Sequence, residues 1–133
     1  MASREDLGKL LLRVTLAVIL LFHGIFKLTH GVQWIGQPLA ALGLPAFLAY
    51  GTYVAELAAP VLIALGYRAR LAALVVAFEM LMAMVLVLRP RLFSINPSGG
   101  GWAIELEAML LLVSICIFCL GSGRYRLGRG RWD

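Results

Sequence analysis

Residues 7–28 read LGKLLLRVTLAVILLFHGIFKL, a run that beyond Lys9 at its start is apolar except for Arg13, His23 and Lys27. A helix rises ~1.5 Å per residue, so about 20 residues cross the ~30 Å hydrocarbon core of a bilayer. This run is long enough to cross. It is followed by His30-Gly31-Val32-Gln33-Trp34 rather than by a small-residue cleavage site, so it reads as a retained span and not as a removed signal. Working outward, three more windows of similar character lie near 47–65, 69–88 and 103–120. Pro and Gly mark the breaks: Gly36-Gln37-Pro38 and Gly43-Leu44-Pro45, then Gly66-Tyr67-Arg68, then Pro90 through Gly101. Pro60 falls inside the second window and should kink it.

Composition agrees with this reading. The chain of 133 residues is 62% hydrophobic and 14% charged, against about 45–50% and about 25% in soluble domains. Mean hydropathy is +0.91. The expected fold is all-α: residues 1–133 form a single transmembrane domain, a bundle of four membrane-crossing helices. The net charge of +5 does not point to nucleic acid, because its placement is topological. Arg4, Lys9, Arg68, Arg70 and the tail arginines Arg124, Arg126, Arg129 and Arg131 gather at one end, and Arg89 and Arg91 lie at the other. Basic residues collect on the cytoplasmic side, so both termini are expected in the cytoplasm. Trp34 and Trp102 fall at outer span ends, where amphipathic rings favour the interface.

Seven ionisable side chains remain inside the spans: Arg13, His23, Lys27, Glu56, Glu79, Glu105 and Glu107. Each is costly in hydrocarbon, and such residues face a bundle interior and carry function. Helical rise places Glu56 and Glu79 near mid-depth, with His23, Lys27, Glu105 and Glu107 in the outer half. His23 and Lys27 are four apart and share a helix face. Glu105 and Glu107 are two apart and diverge, so Glu105 is the expected interior group and Glu107 a contact for a neighbouring helix or partner subunit. Arg13 reads as an anchor whose long side chain reaches the headgroups.

Two uses of this cluster compete. One is internal glue, with Lys27 bridging Glu105 and His23 bridging Glu56. The other is a polar pocket, since the carboxylates outnumber the cations and need a proton, a cation or a hydrogen-bonding ligand. Metal binding is not expected, because di-iron bundles carry Glu-x-x-His pairs that are missing here. Cys116-Ile117-Phe118-Cys119 is surrounded by apolar residues and is expected to be buried, protonated and inert. There is no haem-type histidine pair, cluster-binding cysteine pattern or phosphate loop, so no intrinsic cofactor is expected.

Specific strings add to this. Leu12-Arg13-Val14 with Phe22-His23-Gly24-Ile25-Phe26-Lys27-Leu28 resembles the opening helix of the DoxX family. Glu56-Leu57-Ala58-Ala59-Pro60 and the turn Leu65-Gly66-Tyr67-Arg68-Ala69-Arg70 are similar to its second helix and following turn. Asn96 through Glu105 and the ending Gly121-Ser122-Gly123-Arg124-Tyr125-Arg126-Leu127 resemble its last loop and tail. Two residues separate Trp102 from Glu105 where the family often has none, and Arg126 and Gly128 replace its usual Ser and Asp.

The resemblance implies a bacterial inner-membrane protein tied to quinone- or sulfur/thiol-linked oxidoreductase systems, such as thiosulfate:quinone oxidoreductase. It carries over His23, Lys27, Glu56 and Glu105; Glu79 rests on the depth argument alone. The expected ligand-binding set is Lys27, His23, Glu56, Glu79 and Glu105, with Glu56, Glu105 and His23 the catalytic candidates: Lys27 or His23 would donate to a ligand's oxygens and Glu56 or Glu105 would relay protons. A quinone could be the bound cofactor, and a redox protein or larger membrane complex the partner, beside the bilayer itself. The alternatives are a non-catalytic subunit or assembly factor, and a small-metabolite carrier.

Overall fold

The computed structural model describes residues 1–133. The chain is all-helical, with one isolated bridge between Ile95 and Trp102. Three helices are long and apolar enough to cross a membrane: α1 (Arg4–His30), α3 (Ala46–Leu65) and α4 (Ala69–Val87). A short α2 (Gln33–Ala41) follows α1, and α5 (Glu105–Leu120) has 16 residues. The boundaries lie within a few residues of the hydropathy windows. The helix α2 was read from sequence as an interrupted connection. It forms because Ile35 and Leu39 bury one face beside Val32 and Ala49, with Leu86 and Val87 packed against them.

The long helices pack as a ring, α1 against α3 and α5, and α4 against α3 and α5. Their shared apolar layer holds Leu16 and Leu20 of α1, Ile63 of α3, Val76 and Met80 of α4, and Leu110 and Ile117 of α5. Ala69, Ala72 and Ala73 keep the facing side of α4 small, which lets backbones approach where lipid gives little hydrophobic drive to associate. The outer surface carries Phe22, Phe26, Phe47 and Phe78, as expected for faces turned to acyl chains.

At the end where α1 begins, the tail after Gly121 folds back under the helices. Leu127 and Gly128 donate their N–H groups to Leu65 and Gly66 carbonyls, and Arg70 donates its own to Trp132. Gly66 adopts φ +68°, and a Cβ there would collide with Arg13 Nη1 and stand 2.7 Å from Arg126 Cβ. Only glycine fits that turn without strain.

Arg13 corrects the sequence reading. It is fully buried, donating to the Ile63 carbonyl at 3.2 Å, to the Ala64 carbonyl at 3.4 Å and to the Tyr125 carbonyl. The last carbonyls of a helix have no partner within it. Arg13 supplies donors to the end of α3 and to the tail, so it ties the bundle together and does not reach for headgroups.

Candidate functional site: an intramembrane lysine and two glutamates

Lys27 lies one turn before the end of α1 and points inward, with 14% of its side chain exposed. Its Nζ stands 2.7 Å from Oε1 of Glu56, whose side chain is 4% exposed, and 3.8 Å from Oε1 of Glu79, 13% exposed. The first contact is a charge-assisted hydrogen bond, and such bonds are about twice as strong as neutral ones. The second lies at ion-pair range. Three helices therefore contribute one cation and two carboxylates to one point.

Local backbone features make this meeting possible. Residues Val54–Ala58 form a π turn, in which the Ala59 N–H bonds to the Val54 carbonyl. Single π turns occur frequently at functional sites. Pro60 has no N–H to give to the Glu56 carbonyl four residues back. That carbonyl turns toward α1, where Gly24 leaves room for it. A Cβ on Gly24 would stand 2.5 Å from the Glu56 oxygen and 2.8 Å from Leu57 Cδ2. The Tyr53 hydroxyl donates to the Lys27 carbonyl at 3.1 Å and fixes the side of the same crossing that faces away from the tail. A second π turn, Ala83–Val87, follows one turn after Glu79.

The triad is incompletely satisfied. Glu56 Oε2 and Glu79 Oε2 are buried and have no hydrogen-bond partner. Unpaired buried polar atoms are rare and costly. Two carboxylates against one ammonium leave a site that can accept a proton, a cation or a hydrogen-bond donor. The apolar layer closes it toward the tail, and the cluster of Val32, Ile35, Leu39 and Ala49 flanks the opposite end of the helices.

Other expected members lie elsewhere. Glu105 is exposed and starts α5, with its carboxylate folded against Gly101; Oε2 would be 2.6 Å from a Cβ placed there. Acidic residues are stabilised in the first turn by the helix dipole, which accounts for Glu105 and half-buried Glu107 without an interior role. No ion pair joins Lys27 to Glu105. His23 is also exposed and makes no bridge to Glu56. The buried stripe of α1 runs through Leu20 and Gly24, and His23 lies about 100° from Gly24 around the helix. Lys27 is only about 60° from it, and its long side chain covers the difference. Glu79, expected from depth alone, takes the place assigned to Glu105.

Cys116 and Cys119 are free and exposed on the outer face of α5. The expected burial is overturned because α5 turns Leu110, Ser114 and Ile117 inward.

Apolar helices of span length, packed around a buried ion triad, define a multi-pass membrane protein. The DoxX family matches residues 8–89, and the chain belongs to that family. The matched segment contains Lys27, Glu56 and Glu79 and ends before Glu105. Among curated proteins, the chain is similar to the Bacillus subtilis (strain 168) protein named "Putative oxidoreductase CatD". The two are 32% identical over 117 residues, which is 88% of this chain and 81% of that protein. No solved structure matches.

Proposed function

We propose that the chain is a small integral membrane subunit of an oxidoreductase system, quinone- or sulfur/thiol-linked, with the Lys27–Glu56–Glu79 triad as its polar site. The observation that carries this is the pair of orphaned carboxylate oxygens beside a buried ammonium. A quinone headgroup offers carbonyl oxygens that Lys27 can hydrogen-bond, and its reduced form offers hydroxyls that Glu56 and Glu79 can accept. Carboxylates in such a position also hand protons on. The electrons come from a redox partner. The relative named as an oxidoreductase supports this class of role.

The reading includes four crossings of a bacterial inner membrane by one domain, with α5 as the fourth and both termini in the cytoplasm. The arginines at the terminal end support that orientation.

The test is Glu79→Gln, because Glu79 is the looser partner of Lys27 and its loss leaves the 2.7 Å pair intact. Reduction of a short-chain quinone analogue is measured in membranes containing or lacking the chain. The variant should accumulate normally and lose about a hundredfold or more of the chain-dependent rate, the low end of what a proton-transfer group contributes. An unchanged rate would overturn the site. A second reading, a non-catalytic subunit, draws on Lys27 joining three helices at once. It gains support if Glu79→Gln is silent while Lys27→Met fails to accumulate.

A further inference from the structure

We infer that the underside of the bundle carries a seat for the phosphate headgroup of an anionic phospholipid. The seat lies between the Gly66–Arg70 turn and residues 128–133, and the triad plays no part in it. A hollow of about 260 Å³ there is lined by Arg68, Arg129 and Arg131, with Tyr67 and Trp132 beside them. The hollow is built by the fold. Arg68 has φ +49°, and both its N–H and that of Gly130 donate to the Asp133 carboxylate. The Arg70 N–H holds the Trp132 carbonyl at 2.9 Å, which pins the strand of tail that forms the far wall.

Charge selects the ligand. Asp133 supplies the one carboxylate side chain lining the hollow, and two backbone donors already occupy it. The three arginines are exposed, and no carboxylate pairs with any of them. Guanidinium groups match phosphate oxygens bidentately. Tyr and Trp favour the headgroup level, where one end of the ring is apolar and the other wet. The hollow lies directly under α3 and α4, where acyl chains can run up the exposed faces holding Leu65 and Leu71. Basic pockets at the ends of membrane helices bind anionic headgroups in this way.

The test uses the full chain in detergent, with bound lipid counted by native mass spectrometry. The probes are phosphatidylglycerol, phosphatidylcholine and inorganic phosphate. Wild type should retain phosphatidylglycerol over phosphatidylcholine, and millimolar inorganic phosphate should not displace it. The double variant R129Q/R131Q should lose retention roughly tenfold or more. R4Q/R124Q removes two exposed charges at the same end but outside the hollow, and it should change retention less than threefold. Equal losses in the two double variants would mean diffuse attraction and overturn the seat. Displacement by inorganic phosphate would overturn the lipid and indicate a soluble phosphate ligand. All variants change exposed side chains only, so unchanged thermal unfolding confirms that the comparison is between folded proteins.

Discussion

Lys27→Met removes the only cation within reach of two buried carboxylates. Glu56 then holds two unpaired oxygens where only one is unpaired now. Breaking a buried ion pair from one side costs about 3–5 kcal/mol. The expected destabilisation is therefore about 3–5 kcal/mol, equivalent to a fall in Tm on the order of 10 °C for a chain of this size.

Thermal unfolding of the detergent-solubilised protein at neutral pH measures this loss. Adding Glu56→Gln should recover part of the stability, because a neutral amide replaces the stranded charge. A Lys27→Met variant within about 1 kcal/mol of wild type would refute the triad as an energetic unit.

Gly24→Ala should lower Tm by several degrees and reduce any triad-dependent activity. Its methyl would meet the Glu56 carbonyl at 2.5 Å, and that backbone can yield only if α1 and α3 separate. A distance between spin labels on the two helices that matches wild type would contradict this. Asp133 is held below the usual carboxylate range by the Gly130 and then the Arg68 N–H groups. A lowered folded-state value means that its stabilising effect is present above the unfolded pKa and disappears as pH falls through the folded value. Tail docking should therefore persist at pH 7 and loosen below about pH 4, and Asp133→Asn should loosen it at every pH. Limited proteolysis after Gly121 reports the change, and an Asn variant as resistant as wild type would contradict it.

The helices were legible in the sequence because hydropathy acts over whole windows. The 69–88 window became Ala69–Val87, and 47–65 became Ala46–Leu65. The site was only partly legible. Depth brought Glu56 and Glu79 to one level but set Lys27 in the outer half, from where its long side chain reaches both; depth also does not give direction around a helix. The Arg13, Leu16, Leu20 spacing of three and four marks the buried stripe of α1. That stripe already placed Arg13 inward, and it favoured Lys27 over His23. Glu105 followed the family pattern, yet it comes directly after a Gly-rich hairpin, where an acid is commonly a first-turn residue. For α2, the signal was Val32, Ile35 and Leu39 at helical spacing, which Gly36 and Pro38 obscured. The π turns were not readable, since no residue type demands one.

Those unreadable turns matter for the site. A π turn adds one residue to a helical turn, and each residue in a helix advances the face by about 100°. In α3 the extra residue falls among Val54–Ala58, between Tyr53, which caps the Lys27 carbonyl, and Ile63, which packs in the apolar layer. With a regular turn there, these two residues and Glu56 could not all keep their present contacts with the neighbouring helices. Pro60 secures the departure, because it cannot restore the missing bond to Glu56, and Gly24 accepts the carbonyl that results. The buried charge and the irregular backbone are thus one feature: α1 approaches closely enough for a 2.7 Å ion pair because α3 is not a regular helix where they cross.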